Sequence, residues 1–165
     1  MQLQEFFDYK NQLMKDMLSS KELVRLLNNT IPFDDAGKLA YTQVFPFEYI
    51  PATVEDGWTY VCFDVDIQES LSKTYLLPTL NIWIMTHQSN LRLPEGGVRT
   101  DKICSEICNL INGSRRYGLG ELNLYAVKRF SPVTDYNGKV MIFHAKDFNR
   151  LYDPTKEVPA NRKRR

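Results

Sequence analysis

Three groups of residues have types and spacings that could carry chemistry. Asp64 and Asp66 stand two apart in "TYVCFDVDI", with Glu69 and Lys73 just beyond. Carboxylates on one strand face, a third acid and a lysine are what a metal-dependent nuclease uses to hold its ion. The spacing matches no recognised motif, and acids on the wet face of a half-buried strand explain themselves without a metal. The second group is "LINGSRRYGLG", residues 110–120, with three glycines and two adjacent arginines. A phosphate-binding P-loop follows a strand, opens a helix and ends in Lys-Ser/Thr. This loop follows a helical pattern, precedes a strand pattern and continues into Glu121. Its glycines therefore read as a helix stop at Gly113 and a strand entry at Gly118 and Gly120. Arg115 and Arg116 are left to face solvent or a carboxylate on another subunit. The third group is His87, His144, Cys62, Cys104 and Cys108. No Gly-x-Ser-x-Gly, no CxxC and no histidine beside a cysteine accompanies them, so neither an activated nucleophile nor a zinc site is indicated. Buried, reduced thiols are the expectation.

The elements that must position these residues follow from periodicity. Leu3, Phe6, Phe7, Met14, Met17 and Leu18 recur at helical steps, and Ser19 with Glu22 has capping-box spacing before "LVRLL". Residues 3–28 are thus predicted as one bent helix or two helical pieces meeting near Ser19. Pro32, Pro46, Pro51, Gly37 and Gly57 break up residues 30–58, whose "VFPFEYI" is apolar enough to pack as an extended segment. "TYVCFDVDI" alternates, with Val61, Phe63, Val65 and Ile67 on one face; "TLNIWIMTHQ" does the same with Leu80, Ile82 and Ile84. A helix is predicted over 100–112, capped by Thr100 or Asp101, with Ile103, Ile107, Leu110 and Ile111 buried. Two strands near 121–130 and 139–148 flank Asn137-Gly138, a hairpin turn signal. The order α-β-β-α-β-β predicts an α+β fold: a mainly antiparallel sheet of about four strands with helices packed on one face. Residues 1–150 form a single domain, and 151–165 an extended basic tail.

Composition narrows the classes. Hydrophobic residues at 43% and charged residues at 25% are ordinary for a globular protein. No apolar run reaches the roughly 20 residues a membrane helix needs. The start "MQLQEFFDYK" lacks the basic-then-apolar order of a signal peptide, which predicts a protein kept in a cytosol. Net charge is +1, yet the last four residues are all basic, so the body is mildly acidic and the tail cationic. Arg162 and Arg164 could touch nucleic acid by charge alone, or strap an acidic neighbour.

The phrases "ELVRLLNN", "YVCFDVDI", "TLNIWIMTHQ", "VRTDKI", "LINGSRRYGLGELNLYAVKRFSPV" and "KVMIFHAKDF", together with the element order, resemble the tail terminator and tail-to-head joining proteins of long-tailed bacteriophages. The resemblance covers roughly residues 20–150. It implies a virion neck protein, assembled in the host cytoplasm, that forms a homo-oligomeric ring, typically a hexamer. Such a ring caps the tail tube and meets the head-side connector while genomic DNA passes through its lumen. It implies no catalysis, cofactor, metal or membrane. Subunit contacts would then fall on the 68–78 connection, on Leu91, Arg92 and Arg99, on Arg115, Arg116 and Tyr117, and on Arg162 and Arg164, with Asp64 and Asp66 lining the lumen. The competing expectations are a small nuclease using Asp64, Asp66 and Glu69, and a DNA-binding accessory protein using the tail.

Overall fold

The structure, a computed structural model, describes residues 4–28, 30–50, 57–67, 74–117 and 120–150. Two helices open the chain, α1 (Gln4–Leu18) and α2 (Lys21–Leu27). The break between them is made by two serines with different jobs. The Ser19 hydroxyl donates back to the Lys15 carbonyl at 2.7 Å, closing α1. Ser20 is extended and its Oγ accepts from the Leu23 amide at 3.3 Å, opening α2. The cap is therefore Ser20 and not Ser19, and Glu22 turns outward to Arg25 instead of completing a capping box.

A short 3₁₀ turn (Phe33–Leu39) leads to β1 (Val44–Phe45), β2 (Thr59–Ile67), β3 (Tyr75–Leu76) and β4 (Pro78–His87). Helix α3 (Arg99–Ile111) follows, then β5 (Asn123–Phe130), β6 (Tyr136–His144) and β7 (Asp147–Phe148). The main sheet has the order β1-β2-β4-β6-β5; every pair is antiparallel except β1 with β2. The small β3-β7 ladder forms a separate corner. The α+β reading with one helix-covered antiparallel sheet describes the molecule. The additional strands β1, β3 and β7 are two residues each, too short to show a period.

Register is fixed from one side. Phe63, Ile82 and Met141 face one another across β2, β4 and β6, as do Val61 with Ile84 and Leu80 with Phe143. These residues are at most 1% exposed and pack under Met17, Leu23, Ile103 and Ile107 of the helices. Each such burial contributes about 1.5–3 kcal/mol, so a one-residue slip, which would turn the whole set outward, is disfavoured many times over. On the opposite face Tyr60, Cys62, Met85 and Tyr136 form a second cluster with Phe45. The "VFPFEYI" segment packs against the sheet but is extended only at Val44–Phe45; it bends at Pro46 and Phe47, which lets Phe45 stack on Tyr49 at 4.1 Å.

Two local expectations need correction. Asn137 and Gly138 lie inside β6, and the turn is made upstream at 131–135, where the Tyr136 amide donates to the Val133 carbonyl at 3.2 Å. Gly138 serves close approach: a Cβ there would stand 2.0 Å from the Ile84 carbonyl oxygen. Helix α3 begins at Arg99 behind Val98, which offers no side-chain cap. Thr100 is instead buried in the first turn, and Asp101 reaches Lys139 of β6 at 2.7 Å.

Candidate interaction surface

The proposed metal acids are already engaged. Asp64 pairs with Lys10 of α1 at 2.5 Å and also accepts from the Val65 amide. Asp66 accepts from Asn81 Nδ2 of β4 at 2.7 Å. Glu69 and Lys73 lie outside the described residues. Among the described residues no group of three His, Cys, Asp or Glu side chains is placed to hold an ion. The two aspartates share the sheet face away from the helices, and Asp66 is the more exposed of them.

The loop after α3 works inward as well as outward. Gly113 takes φ +76, the left-handed stop expected of it, and its amide donates to the Leu122 carbonyl at 2.7 Å. Arg115 turns to Glu121 at 2.7 Å, and Arg116 to Asp16 of α1. Both carboxylates belong to this chain. Tyr117, placed by the sequence on a subunit surface, is 2% exposed and part of the core, with its hydroxyl donating to Asp16 at 2.9 Å. The sequence offers no sign of this, because Asp16 lies 101 residues before Tyr117. Asp16 thus receives both Arg116 and Tyr117 and ties α1 to the loop.

Burial, reinforced by the hydrogen bond to the Asp16 carboxylate, pushes the Tyr117 phenol well above its usual range. Burial and Glu5 do the same to Tyr9. The native state therefore holds these protons more tightly than the unfolded chain does. Stability is unaffected below the unfolded value near 10 and falls as pH rises through it. Spectrophotometric titration at 295 nm should show two of the nine tyrosines ionising only as the protein unfolds. Asp16→Asn should bring Tyr117 ionisation to lower pH and lower stability by about 1–3 kcal/mol in urea melts.

The 91–99 loop is a small closed unit, bridged between Arg92 and Val98. Leu91 is half-buried, Arg92 is exposed, and Glu95 binds Arg25 of α2 at 2.8 Å. Arg99 is partly buried: its Nε donates to the Asn90 carbonyl at 2.8 Å and its Nη1 to the Leu26 carbonyl at 2.7 Å. It joins the end of α2 to the start of α3, a role that pattern alone did not reveal. Arg162 and Arg164 lie outside the described residues, as does 68–73 of the β2–β4 connection.

The remaining polar groups do not converge. His87 Nδ1 meets the Ser89 hydroxyl at 2.7 Å, and its ring packs edge-on to Tyr136. His144 stacks on Tyr125 at 4.1 Å, far along the sheet. The three cysteines are unbridged. Burial pushes the Cys62 thiol up to about 12 and the Cys104 thiol up to about 11, so neither is poised as a thiolate.

What the fold does present is an edge. Among the described residues, strand β5 closes the sheet order and pairs only with β6. Tyr125 is 67% and Val127 43% exposed, and Lys128 and Arg129 are exposed beside them. A bulge between Leu124 and Ala126 twists the strand. Bulges and basic residues are the devices by which an open edge avoids indiscriminate pairing while its backbone groups stay available. The adjoining sheet face carries half-buried Trp83, Val140 and Ile142. No helix among the described residues is long and apolar enough to cross a membrane.

No curated protein matches the chain. The YomW family model matches residues 20–145, from the start of α2 to the end of β6, and so takes in the whole main sheet and its edge. With more than half of its length covered, the chain belongs to the YomW family, a phage-derived, SPbeta-type protein family.

Proposed function

We propose that this phage protein is a structural component of the virion neck. Copies of the chain, six by analogy with tail terminators, close into a ring on the head-proximal end of the tail tube. The ring stops tube growth, presents a surface to the head-side connector, and lets genomic DNA pass through its lumen. It is assembled in the host cytoplasm and catalyses nothing. The observation that carries this reading is β5, an eight-residue edge strand that no other described strand covers, on a helix-backed sheet. A head-to-tail contact that uses such an edge on each copy closes into a ring when the rotation between neighbours allows it.

In this assembly Leu91 and Arg92 of the 91–99 loop, and Arg115 at the α3–β5 corner, flank the contact. Arg99, Arg116 and Tyr117 act from within, by holding those loops in place. Asp66, exposed and met by no cation among the described residues, faces the lumen and repels the DNA backbone; Asp64, neutralised by Lys10, adds little. The basic residues Arg162 and Arg164 strap an acidic neighbour.

Deletion of the gene from the phage tests the proposal. The expected result is free heads beside tails of uncontrolled length, or finished tails that fail to join. Normal virions from the deletion would overturn it.

A further inference from the structure

A polar hollow of about 300 Å³ lies between the end of α2 and the start of α3, lined by Asn28, Thr30, Trp58, Thr59, Asn90 and Arg99, among others. Its walls are fixed. Asn28 donates to Gln43 Oε1 at 3.0 Å and accepts from the amide and the hydroxyl of Thr30. Asn90 Nδ2 donates to the Gly57 carbonyl. Trp58 stands at the rim, 43% exposed.

Arg99 is the one formal charge in the lining, and no carboxylate among the described residues pairs with it. The nearby acid Glu95 is taken by Arg25. Two of the guanidinium's five N–H donors reach the Leu26 and Asn90 carbonyls, and the other three have no hydrogen-bond partner among the described residues. Burial, with Arg25 close by, acts against its charge, while Glu95 acts weakly in favour. A partly buried cation with unspent donors in a polar hollow is stabilised by an anion that can accept a forked pair of hydrogen bonds.

We propose that this hollow is a binding site for an oxyanion, a carboxylate or a phosphate, attached to a flat or apolar group that lies on Trp58. Arg99 would take the charge, the second side-chain N–H of Asn28 and of Asn90 would supply neutral hydrogen bonds, and the indole would cover the apolar part. The site is independent of β5 and does not require the ring.

Trp58 reports on it directly. The chain has two tryptophans, so a Trp83→Phe protein leaves Trp58 as the sole indole emitter. This protein is titrated with inorganic phosphate, acetate and benzoate, at ionic strength held constant with chloride. The expected result is a saturable change in Trp58 emission with phosphate or with the carboxylates and none with chloride. Benzoate binding more tightly than acetate would support the stacking role. Preference for phosphate or for carboxylate identifies which of the two the site takes. Arg99→Lys keeps the charge but loses the fork, and should weaken binding about tenfold or more while circular dichroism stays native. Should that variant fail to fold, the parent titration still decides. Emission that follows only ionic strength, or unchanged affinity in a folded Arg99→Lys protein, would overturn the site.

Discussion

Gly138→Ala is expected to cost at least about 3 kcal/mol, and to leave little folded protein at 37 °C. The added methyl would sit 2.0 Å from the Ile84 carbonyl oxygen, 3.0 Å from its carbon and 3.1 Å from the Met85 Cα. All three are backbone atoms at the centre of the sheet, so no side chain can swing aside. Relief requires β4 and β6 to separate, and that ladder joins nearly the full length of both strands, running from Thr79 with His144 to His87 with Tyr136. Ordinary overpacking costs about 1–3 kcal/mol because neighbours yield; here the neighbour is a ladder that also carries the core register. Urea denaturation of the two proteins measures the difference. A loss of less than about 1 kcal/mol would show that the strands can part locally and that the sheet is not the rigid body assembly needs.

Gln43→Leu should be nearly as damaging, at about 2–4 kcal/mol, although it places a hydrophobe at a position only 1% exposed. The Gln43 amide nitrogen donates to the Leu27 carbonyl at 3.0 Å and to the Thr59 carbonyl at 2.8 Å. Its oxygen accepts from Asn28 Nδ2 at 3.0 Å. One side chain thus satisfies the last turn of α2, the first residue of β2 and the asparagine that lines the polar hollow. Leucine fills the space and strands all three groups. Gln43→Glu should also be poor, because the carboxylate cannot donate to the two carbonyls. A midpoint in urea unchanged by Gln43→Leu would mean that water replaces these bonds freely and that the joint is not a fixed one.

Gln43 also shows what the sequence conceals. The alternation of β2 and β4 and the stripe of α3 declare themselves, because burial on one face forces a period on the residues. The α+β class, the helix pair at the start and the sheet face bearing Asp64 and Asp66 were legible on that ground. Gln43 lies among prolines and glycines, in a stretch with no period, and its partners are carbonyls and an asparagine that pattern does not register. Tyr117 was hidden likewise: a tyrosine between arginine and glycine looks like a loop tip until Asp16 is brought beneath it. Asn137-Gly138 misled for the opposite reason. The pair is a strong local turn signal, but β6 uses its glycine where two backbones crowd, and tertiary contact overrode the local preference. The resemblance puts Arg99 at a subunit contact, and only the meeting of α2 with α3 shows it as a tie between helices facing a hollow.

The central claim is that copies of this rigid sheet assemble around an axis. Electron microscopy of the purified protein, alone and mixed with tail tubes, tests it most directly. The account predicts rings of six-fold symmetry with a central hole of duplex width, seated at one end of each tube. Particles that remain single copies at every concentration, and tubes that stay bare, would contradict it.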